Sequence, residues 1–142
     1  MATLMGCSSS DDEEELVLPE IANQFETDVV WQESIGSGVE HYFSRLSPAV
    51  YKETVYVASR EGQVEALSLA NGDTQWETDV RQDLSFWPWS DNDSAKLSGG
   101  ILQAYGKIYL GSEHGYVIAL DRETGKEVCR KKVPGESLSK PA

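Results

Sequence analysis

The chain has 142 residues and a formal net charge of −12, with a quarter of its residues charged. So acidic a balance argues against nucleic acid as a partner, because phosphate binding needs a basic footprint. No stretch is apolar over the length a helix needs to span a bilayer.

Near the N-terminus, Leu4-Met5-Gly6-Cys7 has the form of a bacterial lipobox. An apolar residue stands three positions before the cysteine, a small one directly before it, and three serines follow. The thiol of such a cysteine carries a diacylglycerol. Acyl chains contribute ~0.8 kcal/mol per buried CH₂, so several on one residue hold a soluble domain at a membrane. Residues 1–7 therefore read as a signal-peptide remnant and lipobox ending at Cys7. Met1 to Met5 has no Lys or Arg and is too short for an export signal. That implies a precursor that was trimmed, or one whose start lies elsewhere. Residues 8–27 read as an acidic flexible tether, with Asp11-Asp12-Glu13-Glu14-Glu15 as a solvated spacer. The second cysteine, Cys129, lies far along the chain. A disulfide to Cys7 would tie the tether to a strand and is not expected; Cys129 is expected to be a buried, inert thiol.

Val29 to Ile35 reads as a strand, and residues 28–36 as an N-terminal strand that completes the last blade of a ring. After it the chain repeats itself. Val55–Val80 aligns with Ile108–Val133 at an offset of 53 residues without a gap, and 8 of the 26 pairs are identical. A period of this length with this many strand signals is a propeller blade. The fold class read from the repeat is all-β: a β-propeller of four-stranded antiparallel blades, of which this chain holds about two. A closed ring takes at least four blades, so the chain reads as a fragment of a longer protein.

Blade one covers residues 37–80, with strands expected at Leu46–Tyr51, Thr54–Ser59, Gln63–Leu69 and Thr74–Val80. Blade two covers 81–133, with strands at Gly100–Ala104, Lys107–Ser112, Tyr116–Asp121 and Lys126–Val133. Gly62, Gly72, Gly115 and Gly125 fall where tight hairpins want a positive φ. Ala66 and Ala119 are small where neighbouring blades approach. Trp31, Trp76 and Cys129 mark three copies of a blade's last strand. Blade two also carries an inserted loop, Arg81–Ser98, that holds Phe86-Trp87-Pro88-Trp89. These rings either cover their own blade or present a rigid apolar patch to a partner. Glu136–Ala142 echoes Phe43–Ala49, and residues 134–142 start a third blade.

No phosphate loop, nucleophile elbow or metal-spaced cluster is present in the sequence. His41 and His114 stand 73 residues apart, and His114 precedes a hairpin glycine. No catalytic residue, metal or cofactor is expected.

Ala119-Leu120-Asp121-x-x-Thr124-Gly125 resembles the repeat named after pyrroloquinoline quinone (PQQ) proteins, in which a tryptophan follows four residues after the glycine. Blade one keeps Ala66, Gly72 and Trp76 but has Ser68 for Asp and Asn71 for Thr; blade two has Cys129 for the tryptophan. The lipobox, the acidic tether, Trp31, the stretch His41–Ala49, Leu97-Ser98-Gly99-Gly100 and Gly135–Pro141 come in an order similar to the BamB family, the lipoproteins of the bacterial β-barrel assembly machinery. That resemblance implies an eight-bladed propeller with no enzymatic activity and no bound quinone. It implies binding to the POTRA domains of BamA and to other subunits of the complex, and contact with unfolded outer-membrane proteins. It implies a lipid-anchored place on the periplasmic face of the outer membrane; Ser8 after the cysteine resembles an outer-membrane sorting signal. The runner-up is a fragment of a PQQ-dependent quinoprotein dehydrogenase. That reading needs Ca²⁺ held by carboxylates and an amide, a constellation the sequence lacks outside turns and linker.

Overall fold

The computed structural model describes residues 25–38, 41–42, 44–81 and 94–135. Eight strands make two antiparallel sheets. The first is β1 (Ala49–Tyr51), β2 (Thr54–Ala58), β3 (Gln63–Ser68) and β4 (Thr74–Asp79). The second is β5 (Leu102–Ala104), β6 (Lys107–Gly111), β7 (Tyr116–Asp121) and β8 (Glu127–Lys132). Each sheet is an up-and-down meander, because every connection within it is a short hairpin.

The period-two pattern decides which face each residue takes. In the first sheet Tyr56, Ala66 and Trp76 are register partners and share one face, while Val57, Glu65 and Glu77 share the other. In the second, Leu110, Ile118 and Arg130 share one face, and Tyr109, Ala119 and Cys129 the opposite one. Both sheets shift register at the same repeat position, between Ala66 and Leu67 and between Ala119 and Leu120.

The core lies between the sheets. Tyr56, Val64 and Ala66 on the first meet Ile108, Leu110, Ile118 and Leu120 on the second, and Val80, Leu97 and Ile101 close the ends of the seam. The four aliphatic residues of the second sheet are at most 1% exposed. Fully burying a side chain of that size contributes roughly 1.5–3 kcal/mol, so this seam is the main source of cohesion. A backbone ladder ties the far end. Leu97 N–H donates to the Arg60 carbonyl at 2.9 Å, and Ala95 N–H to that of Glu61 at 2.8 Å.

Two expectations need correction. Val29 to Ile35 forms no strand; the segment runs beside the first sheet without entering a ladder. A strand needs a hydrogen-bonding neighbour; the segment pairs with none of the eight described strands, and the last blade it is expected to complete is not among them. Cys129 is exposed, not buried. It sits on the face of the second sheet away from the core, where no described residue covers β8 as that sheet covers β4.

Candidate functional site

The distinctive feature of the described residues is the seam and its two rims. At one rim the turns between third and fourth strands carry the repeat motif. Asp121 Oδ1 accepts from the N–H of Thr124 at 2.9 Å, from its hydroxyl at 2.8 Å and from the N–H of Glu123 at 3.1 Å. Those bonds, the Thr124 hydroxyl first, hold the Asp121 carboxyl below its usual range. They close a turn that leaves Gly125 at φ +70°.

Trp76 lies on that glycine. Its indole N–H donates to the Arg122 carbonyl at 3.0 Å, and the Thr78 hydroxyl donates to the Gly125 carbonyl at 2.8 Å. The same contact occurs one repeat earlier. Trp31 lies on Gly72 (φ +79°), and its indole N–H donates to the Leu69 carbonyl at 2.8 Å. Leu69 and Arg122 are themselves 53 positions apart. Although unpaired, the N-terminal segment thus presents Trp31 to the first sheet as β4 presents Trp76 to the second.

At the other rim the β2–β3 and β6–β7 hairpins, turning at Gly62 and Gly115, are buckled together. Arg60, 6% exposed, makes a two-pronged ion pair with Glu113; its second prong is 2.9 Å. The Tyr42 ring covers the guanidinium at 4.2 Å. Hydrogen bonds from Arg60 hold the Glu113 carboxyl below the usual glutamate range. Arg60 and Glu113 hold the same position in consecutive repeats. Sequence reasoning missed this pair, although opposite charges at one repeat position were its signal.

The outer face of the first sheet differs. Where the second sheet has Ile118, the first has Glu65, only 8% exposed. The Gln63 amide donates to Glu65 at 2.9 Å and to Glu77 at 3.0 Å. Burial, then the charges of Glu77 and Glu33, push the Glu65 carboxyl up. Beside them, a cleft of about 300 Å³ opens between Ser37 and Glu77. The Ser37 hydroxyl donates to Glu61 at 2.6 Å and lowers its pKa.

Of the residues singled out in the sequence, Trp31, Gly72, Trp76, Asp121, Thr124 and Gly125 come together at the first rim. Ala66 and Ala119 lie mid-sheet, each 1% exposed or less. Gly62 and Gly115 turn the opposite hairpins at φ +124° and +73°. His41 and His114 are exposed and apart. Cys7 and the aromatic trio Phe86, Trp87 and Trp89 lie outside the described residues.

The family model described as "Outer membrane protein assembly factor BamB" matches residues 22–86. A protein of that name from Aliivibrio fischeri is 49% identical over 139 residues, covering 97% of this chain and 34% of the relative. One from Yersinia pestis is 40% identical over 145 residues, covering 99% of this chain and 36% of the relative. The crystal structure of BamB from Moraxella catarrhalis is 20% identical, with a TM-score of 0.46, covering 63% of this chain and 24% of that one. The chain spans about a third of the length of the curated relatives it matches. Two repeats of four antiparallel strands, and a likeness to these relatives over nearly every residue, make this chain a member of the BamB family of outer membrane protein assembly factors.

Proposed function

We propose that the chain belongs to a non-enzymatic scaffold lipoprotein of the outer-membrane β-barrel assembly complex. It binds the POTRA domains of BamA and other subunits, and it assists the folding and insertion of outer-membrane proteins. Cys7 carries the lipid, residues 8–27 form the tether, and the propeller stands on the periplasmic face of the outer membrane. Residues 28–36 complete the last blade of the ring, 37–80 and 81–133 are its first two blades, and 134–142 begin the next. Phe86, Trp87 and Trp89 are the partner-contact candidates in this stretch.

The observation that carries this reading is the identity, over 97–99% of the chain, to relatives named outer membrane protein assembly factor. The geometry agrees with a scaffold. Its polar groups are spent on turns, seams and buckles, as a rigid platform requires. The outer strands β4 and β8 each keep one unpaired edge among the described residues, a surface that an extended chain can join by strand addition.

The test uses the membrane-extracted protein in its longer form. Mass analysis should find acyl chains on Cys7, and BamA should co-purify. Trp87→Ala with Trp89→Ala should weaken that co-purification without unfolding the ring. An unmodified Cys7 together with no BamA would reject the reading; normal capture by the double variant would remove only the aromatic loop.

A further inference from the structure

Among the described residues, the Arg122 guanidinium has no hydrogen-bond acceptor, although its backbone is pinned on both sides. Its N–H donates to the Gly106 carbonyl at 3.1 Å, and its carbonyl accepts from the Trp76 indole. The turn needs no more than that backbone, because Leu69 holds the same repeat position and gives Trp31 the same carbonyl. The charged side chain is thus surplus to the packing of the rim. It lies 4.3 Å from the centre of the Tyr51 ring and is only 16% exposed. The one described carboxylate near it is that of Glu123, 82% exposed and 3.6 Å away, which is too far for a hydrogen bond.

A cleft of about 230 Å³ opens in front of Arg122, between the two blades. Tyr51, Lys52, Thr54 and Gln75 line its other wall. The register shift between Ala66 and Leu67 leaves Gln75 unpaired between their partners Trp76 and Thr74 and turns it toward Thr54. The Thr54 hydroxyl donates to the Gln75 amide oxygen at 3.3 Å, which leaves the amide N–H₂ to the cleft. Lys52 reaches over the same Tyr51 ring at 5.5 Å. Two cations therefore flank one ring, and no described carboxylate hydrogen-bonds to either. Like charges held together in a half-dry cleft are unfavourable until an anion joins them. Both walls belong to the seam between the described blades, and neither is a face that a further blade covers.

We propose that this cleft is a binding site for a carboxylate carried on a polypeptide. Arg122 grips both oxygens, Gln75 adds an amide donor and Lys52 a second positive charge. The planar guanidinium fork matches the two oxygens of a carboxylate. The net charge of −12 disfavours a larger polyanion at the same place. Glu123 stands near enough to compete and too far to satisfy Arg122, so the incoming carboxylate displaces it. A polypeptide as carrier rests on the reading of the chain as an assembly scaffold; the preference for a carboxylate does not.

The test uses the longer protein extracted from membranes and short labelled peptides whose binding is followed by fluorescence anisotropy. One peptide has a single central Glu and an amidated C-terminus. A second has Gln in place of that Glu. A third has the Gln and a free C-terminal carboxylate. The peptide without a carboxylate should bind at least about tenfold more weakly than the better of the other two. Which of those two binds better tells a side chain from a chain end as the source. Arg122→Leu copies Leu69 at the equivalent turn and should abolish the preference, while Arg122→Lys should keep only part of it. Glu123→Gln removes the competitor and should tighten the favoured peptide roughly threefold. Equal binding of all three peptides would overturn the proposal, as would a preference that survives Arg122→Leu. If Arg122→Leu does not fold, Glu123→Gln decides, and an unchanged or weakened affinity rejects the site. BamA capture from the same extract separates the two readings: capture without any carboxylate preference rejects the cleft and leaves the scaffold.

Discussion

The indole of Trp76 lies flat against Gly125, so close that a Cβ built on the glycine would stand 2.5 Å from Cε3 of the ring. The glycine therefore meets two demands at once. It takes a positive φ that closes the turn, and it leaves the space into which the preceding sheet inserts its tryptophan.

Gly125→Ala should cost about 3 kcal/mol, since the left-handed backbone and the collision act together. Gly106, at φ +72°, has nothing within 4 Å of where its Cβ would go. Gly106→Ala should cost only about 1 kcal/mol, from backbone strain alone. Urea denaturation of both variants checks the difference, and equal losses would show that the tryptophan yields easily.

Trp76→Phe should lose about 1 kcal/mol, the share of the hydrogen bond to the Arg122 carbonyl. Trp76→Ala should lose about 3 kcal/mol, because the groove over Gly125 is left unfilled. Thermal melts followed by fluorescence of the remaining tryptophans give both numbers.

Removing one partner of the Arg60–Glu113 pair should hurt in proportion to how deeply the survivor is buried. The side chain of Arg60 is 7% exposed and that of Glu113 25%. Glu113→Ala should therefore cost about 3 kcal/mol and Arg60→Ala about 2 kcal/mol. Arg60→Met with Glu113→Leu should recover most of either loss. The Glu113 carboxyl is held low in the fold. Its contribution is thus complete above the ordinary glutamate range and fades as pH falls through the depressed folded value. Glu113→Gln should flatten that acid limb in a stability profile measured against pH.

Glu65 works in the opposite sense. Its folded pKa is raised, so protonation favours the folded chain. That contribution is complete below the ordinary glutamate range and is lost as pH rises through the folded value. Glu65→Gln should raise the melting temperature at pH 7 by roughly 2–6 °C and make no difference at low pH. A variant less stable at pH 7 would mean that the carboxylate earns its place through bonds that an amide cannot replace.

Much of the fold was legible because its signals are local. The repeat and its turn residues placed each of the eight described strands within a few residues, and Gly72 and Gly125 marked the turns that need positive φ. What failed depended on neighbours. Val29 to Ile35 has strand residues, yet strand formation requires an edge to pair with, and no property of the segment itself supplies one. Cys129 was assigned to the interior from its place in the motif, but burial is set by what covers a face. Glu65 shows the same limit in reverse. Its type suggests a solvated position, while its place in the repeat, opposite Ile118 in the next blade, points to the interior where it is found. The Arg60–Glu113 pair was readable in principle, because lining up the two repeats puts opposite charges in one column.

That column has a consequence for any attempt to regularise this protein. Copying one blade over the other, by gene conversion or consensus averaging, would set two guanidinium groups or two carboxylates face to face in a nearly dry crevice. The internal symmetry must stay broken at residues 60 and 113 for the duplicated halves to remain joined.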